Sequence, residues 1–467
     1  MPTRKEHDFL GELEIPNDKY YGIQTFRALD NFNITGMALS SEPFMVKALA
    51  YVKKAAAMAN ADLGIFDREI ADAICFACDE IIDGKYLDQF VTDLIQGGAG
   101  TSVNMNANEV IANIALEKLG HLKGEYQYCH PNNHVNCSQS TNDAYPTAFR
   151  LALLIRLDAY KDALKSLSDS FRRKGEEFKN VLKMGRTQLQ DAVPMSLGSE
   201  FNGWATTIGE ELARVDSAKN LIREINMGAT AIGTRVNAPD DYPELVTKYL
   251  VKLTGRPLFL AADLIEATSD TGAYVQLSGV LKRTAIKLSK ISNDLRLLSS
   301  GPRTGFNEIN LPRMQPGSSI MPGKVNPVIP EVVNQIAFYV IGADITITMA
   351  AEAGQLQLNV MEPVISYSLF SSILYLSRGC DTLRTKCVDG ITANAEHTKE
   401  MVMNSVAIVT LLNPILGYEE CSNIAKEALE LNKSIYQIAV EERKLISQEK
   451  WDRLFKFDNL ITPKFML

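Results

Sequence analysis

Apolar residues in the middle of this 467-residue chain recur at helical spacing over long stretches. Leu153, Leu157, Tyr160, Leu164, Leu167 and Phe171 follow alternating steps of four and three. That spacing puts all six on one face and predicts a helix with a coiled-coil-like seam. Between Pro146 and Gly175 no proline or glycine interrupts the stretch, so a single helix fits it. A second row runs through Leu277, Leu281, Thr284, Leu288, Ile291, Leu295 and Leu298. The segments "PEVVNQIAFYVIGADITITMAAEAG" and "EPVISYSLFSSILYLSRGCDTLRTKC" are long enough for two more bundle helices. The predicted fold is therefore mainly α, with a long helical bundle at its centre. Turn residues are more frequent before about residue 140 and after about 395. Three domains are expected: 1–140, mostly helical; 141–395, the long-helix bundle; and 396–467, small and helical.

Small polar residues collect in four places, each expected at a helix start. "GGAGTSVNMNANEVIANIALEKLG" runs from glycines through Thr101 and three asparagines into an apolar-periodic stretch. "CSQSTNDAYPT" puts Ser140, Thr141 and Asn142 just ahead of the first seam, and "GRTQLQDAVPMSLGSEF" gives Thr187 and Gln188 a similar place. "GSSIMPGKVNP", residues 317–327, is too rich in glycine and proline for a helix or strand, yet it carries Ser318, Ser319, Lys324 and Asn326. A helix N-terminus offers unpaired N–H groups and about half a positive charge, which suits a carboxylate or phosphate. Ordinary capping accounts for any one cluster, but four together, one with a lysine, point to a small dianion. If residues 147–174 form one helix, its roughly 28 residues span about 40 Å. The clusters at 140 and 187 then sit near opposite ends, and they share one ligand only if different copies of the chain contribute.

Composition narrows the class. With 46% hydrophobic residues the chain can bury a large core. A formal charge of -8 argues against nucleic acid or an anionic membrane as partner, so attraction for an anion must be local. The opening "MPTRKEHDFL" has no apolar core of a leader, and no stretch reaches the roughly 18 uncharged apolar residues of a membrane span. A cytoplasmic protein is expected. The seven cysteines do not suggest a disulfide framework, and the Cys75–Cys78 pair lies in "ADAICFACDEII", which reads as an amphipathic helix.

These residues resemble the aspartase/fumarase superfamily, whose signature is similar to "GSSIMPGKVNP". "GAGTSVNMNANEVIAN", "NHVNCSQSTNDAYPT", "KMGRTQLQDAVP" and "GQLQLNVMEPVI" stand in the family's order and spacing, so the resemblance covers nearly the whole chain. "STND", Gln188 and "NVMEPVI" are closer to its ammonia-lyase branch than to its hydratases. The resemblance implies a three-domain fold assembled around a tetrameric helix core, with each site shared by three subunits. It also implies conversion of L-aspartate to fumarate and ammonia through an aci-carboxylate. Ser318 would be the base. Thr101, Ser140, Thr141 and Ser319 would hold the β-carboxylate, Thr187, Lys324 and Asn326 the α-carboxylate, and Asn142 would lie near the amino group. Gln188 suits a leaving ammonium, which needs no acid, whereas loss of hydroxide needs a titratable donor. The alternative is a fumarate hydratase or a related lyase with an altered amine substrate. No cofactor is expected to be required. Activation by a divalent metal such as Mg is left open, because family members differ. His134 is read as structural, with a general-acid role as the alternative. Two positions depart from the family: Arg235, where glycine is usual, and Ser199, where glutamine is common.

Overall fold

The computed structural model describes residues 2–462. Helices dominate, and among the described residues the strands form four two-stranded pairs. The first seam is one helix, Thr141–Glu177, of 37 residues, about 55 Å long at 1.5 Å per residue. All six seam side chains are buried, and each such apolar side chain contributes roughly 1.5–3 kcal/mol on leaving water. The second row is likewise buried along Gly272–Leu298. The two remaining segments form Val328–Glu352 and Glu362–Lys386.

The first long helix runs through Pro146, which lacks the N–H that would pair with the carbonyl of Asn142. The Asn226 side-chain amide donates to that carbonyl instead, at 3.0 Å. The proline is tolerated because its orphaned acceptor has another donor.

Packing divides the chain into two compact units, each drawn from three separate stretches. One comprises the residues up to Lys161, Ala213–Ala285 and Phe338–Ser377. Its interior includes Val46, Leu49, Ile74, Val110 and Ile114, and Phe149 packs against Tyr274 and Phe370 at ring distances of 4.6 and 5.3 Å. The other comprises Asp162–Leu212, Ile286–Ala337 and the chain from Arg378 onward. Phe171, Phe178, Phe201 and Trp204 form an aromatic cluster there, and Met184, Ile408, Leu412, Ile424 and Trp451 form a second core.

One sequence expectation needs correction. Thr187 and Gln188 do not open a helix: they lie in a β-hairpin of strands Leu182–Thr187 and Gln190–Ser196, and the next helix begins at Leu197. The expectation of no uncharged apolar run of membrane length holds, although Val328–Glu352 is by length and composition long and apolar enough to cross a membrane. Asp344 interrupts the apolar run of that helix. That carboxylate turns inward, to Lys282 at 2.6 Å and Ser278 at 2.7 Å. The apolar residues form two stripes. Val333, Ala337, Val340 and Ile347 are buried, while Phe338, Ile345 and Met349 are 64%, 59% and 67% exposed. The Cys75–Cys78 segment is the helix Arg68–Ile82, and all seven cysteines are free thiols.

Candidate active site

Four of the candidate residues lie in the first unit. Thr101 opens the helix Thr101–Lys118 after a glycine-rich turn in which Gly98, Ala99 and Gly100 all have positive φ. Gly100 is required there: a Cβ would come within 2.4 Å of the Tyr145 ring. The exposed Thr101 hydroxyl donates to the Gly98 carbonyl at 2.7 Å. Ser140, Thr141 and Asn142 stand at the start of the Thr141–Glu177 helix. Ser140 Oγ accepts the Asn142 N–H at 3.3 Å, so part of its role is a cap. Asn142 Nδ2 donates to the Ala231 carbonyl at 2.7 Å.

Asp143 organises this turn from beneath. One carboxylate oxygen accepts the Ser140 N–H at 2.9 Å, and the other accepts those of Gly228 and Thr230 at 3.0 and 2.9 Å. Burial pushes its pKa up to about 6, against the pull of these N–H groups. In the sequence Asp143 stands inside a helix-start cluster, where capping alone would account for it. Its hold on the 228–230 segment is a tertiary contact that local pattern cannot show.

The other six candidates lie in the second unit. Thr187 ends one hairpin strand, and Gln188 with Leu189 forms the two-residue tip, both at positive φ. A buried ion cluster supports the hairpin base: Glu308 meets Lys183 at 2.9 Å and also binds Arg186, while Lys183 reaches Glu200 at 2.6 Å. Arg186 is thereby fixed beside Thr187, and its guanidinium lies 4.4 Å from the Phe306 ring centre.

Residues 317–327 form a loop closed at its neck. Gly317 donates its N–H to the Lys324 carbonyl at 2.7 Å, and Asn326 Nδ2 donates to the Gly317 carbonyl at 2.7 Å. A Cβ at Gly317 would sit 2.6 Å from the Asn326 nitrogen and 2.8 Å from the Lys324 oxygen. Inside the loop Ser318 Oγ accepts the N–H groups of Ile320 and Met321 at 3.2 and 2.9 Å. Two donors on one hydroxyl oxygen favour its anionic form. Ser319 and Lys324 are exposed, and Ser318 is half-buried.

The structure thus brings Thr101, Ser140, Thr141 and Asn142 into one unit and Thr187, Gln188, Ser318, Ser319, Lys324 and Asn326 into the other. His134 accepts the His130 N–H on Nδ1 at 2.8 Å and packs edge-on against Phe66, and burial lowers its pKa. Arg235 has φ 60, which is why a glycine would suit that position, and its side chain reaches Asp240 and Glu244 at the surface. Ser199 hydrogen-bonds Ser196 at the start of the following helix.

Comparison with known proteins adds relatives to this geometry. A lyase family model matches residues 11–342, and a fumarase C C-terminus model matches 408–462. An aspartate ammonia-lyase of Helicobacter pylori strain J99 is 60% identical, covering 98% of both chains. Those of Pseudomonas aeruginosa and Escherichia coli K12 are 59% and 54% identical, each over 99% of this chain and 98% and 97% of their own. Among solved structures, a fumarate lyase:delta crystallin from Brucella melitensis bound to cobalt matches with TM-score 0.95 and 53% identity, covering 98% of this chain and 99% of its own. A class II fumarase from Schistosoma mansoni matches with TM-score 0.93 and 35% identity, over 99% of this chain and all of its own. In sequence, fold and the order of its polar turns, this chain belongs to the aspartase/fumarase superfamily of lyases.

Proposed function

We propose that this protein eliminates ammonia from L-aspartate to give fumarate, reversibly, with Ser318 as the base. The observation that carries the chemistry is the pair of main-chain N–H groups aimed at Ser318 Oγ. An alkoxide there takes the proton from the carbon beside the β-carboxylate, and the electron pair left behind spreads onto that carboxylate as an aci-carboxylate. The carbon–nitrogen bond then breaks, and its electrons leave with nitrogen as neutral ammonia. The barrier is set mainly by the charge on the aci-carboxylate, which pre-aimed donors lower. Thr101, Ser140, Thr141 and Ser319 supply those donors. Thr187, Lys324 and Asn326 hold the α-carboxylate, and Asn142 lies near the amino group. Gln188 accepts from the ammonium and cannot titrate, which favours ammonia over hydroxide as leaving group. The names of the full-length relatives support the same substrate.

The site is completed by copies of the chain in a homotetramer, each site drawing on three subunits. Two observations support this. Thr141 opens a helix about 55 Å long and Thr187 follows its far end. The exposed stripe of Phe338, Ile345 and Met349 is an apolar face of the kind that subunit contacts cover. The free thiols suit a reducing cytoplasm. No cofactor is required in this scheme, because protein donors stabilise the developing charge, and turnover is expected to survive a chelator. A loss restored by Mg²⁺ would instead show divalent activation.

The deciding experiment follows fumarate absorbance from L-aspartate and from L-malate with the purified protein. Fumarate from aspartate alone is expected. Fumarate from malate alone would replace this reading with a hydratase, and fumarate from neither would reject both.

A further inference from the structure

Lys53 is fully buried in the helix Pro43–Asp62 and points into a set of amides beneath the Ser140–Asn142 turn. Its ammonium donates to Asn104 Oδ1 at 2.7 Å, Gln139 Oε1 at 2.8 Å and Asn136 Oδ1 at 3.0 Å. Three donors meet three acceptors, so a charged ammonium is fully satisfied in a place where a neutral amine would leave one oxygen unmet. Burial pulls the Lys53 pKa down to about 7, and the Asp143 carboxylate opposes that fall.

This cation fixes the polarity of everything beyond it. Asn104 must turn its oxygen to Lys53, so its amide nitrogen faces the other way. That nitrogen donates to Thr141 Oγ1 at 3.1 Å and to Asn136 Oδ1, also at 3.1 Å. Gln139 is held by its own nitrogen on the carbonyls of Val135 and Cys137, each at 3.0 Å, which leaves its oxygen for the lysine. Asn136 Oδ1 takes a further donor from Asn108 at 3.2 Å. The Thr141 oxygen therefore already accepts a hydrogen bond from the interior. Among the described residues nothing accepts its proton, which is left to point outward.

We infer that Lys53 and Asn104 are positioning residues that make Thr141 a hydrogen-bond donor to a substrate carboxylate. The inference rests on the proposed function, which places that carboxylate at Thr141. Along the chain from ammonium to amide to hydroxyl, each bond polarises the next, so the hydroxyl is a stronger donor than a free threonine. Neither residue touches substrate. Asn104 is one of the three asparagines behind Thr101, and no other part of the proposed mechanism uses it.

The test is Asn104→Asp. The carboxylate has the same shape and still pairs with Lys53, but it presents an acceptor where the amide presented a donor. The Thr141 proton then turns inward, away from substrate. The expected result is a lowered melting temperature, because Asn136 Oδ1 loses its Asn104 donor, together with a fall in kcat/KM for L-aspartate of about tenfold or more, the worth of one hydrogen bond to a charged group. In a Thr141→Val background the same change should cost less than about twofold, since there is no hydroxyl left to orient. Asn104→Ala in the same two backgrounds decides the matter if the aspartate variant fails to fold. Equal losses with and without the Thr141 hydroxyl would overturn the relay while leaving the elimination intact. A wild-type protein that makes no fumarate from aspartate would overturn the proposed function, and the relay with it.

Discussion

Ser318 is served by peptide N–H groups rather than by an imidazole, so its acidity depends on where two main-chain dipoles point. Ser318→Ala removes the oxygen and leaves those dipoles in place. It is expected to fold and assemble as the parent does while turnover falls on the order of 10³-fold, measured as fumarate release. Retention of a tenth of parental turnover would exclude Ser318 as the base. Much at this scale was legible in the sequence. Thr101 and Ser140–Asn142 were readable as helix-start residues because capping is local chemistry. Arg235 stood out against the family, and its φ of 60 gives the physical reason. Lys53 was not legible by its charge. Only its register, four residues after buried Leu49 and seven after Val46, signals that it faces inward.

At the scale of elements the 317–327 loop and the 182–196 hairpin behave differently under sequence reading. The loop was recognisable from its glycines and prolines, and Gly317 is needed at its neck because backbone atoms fill the place of a side chain. Gly317→Ala must part Gly317 from Asn326 and Lys324. We expect it to lower kcat/KM on the order of 100-fold, because a misplaced group costs about that much, while urea midpoints stay close to the parent, since the loop is largely exposed. A near-parental kcat/KM would show that the neck does not set the position of Ser318. The hairpin was misread because its tip lacks the residues such turns prefer. Gln188 and Leu189 adopt φ of 54 and 61, where asparagine and glycine are usual. A local rule broken at a candidate binding residue is backbone strain held in place by the buried Glu308 cluster below it.

Over the whole molecule the seams at 153–171 and 277–298 were readable because periodicity records burial directly, and the helices follow it closely. Periodicity alone could not separate the two stripes of Val328–Glu352, since the buried and the exposed stripe have the same apolar composition. If the exposed stripe is a subunit contact, Ile345→Lys places a charge in it. Under the proposed assembly with shared sites, sedimentation is expected to show dissociated chains with activity lost in proportion; an intact tetramer with parental activity would remove that stripe from the assembly. The stripe also has a kinetic consequence. Under that same assembly, a newly made chain carries this strip of hydrocarbon into the cell before a sister chain covers it, so productive assembly competes with indiscriminate sticking. The yield of active protein should therefore depend on how quickly sister chains meet: dilution during refolding disfavours assembly, and heat favours the competing path.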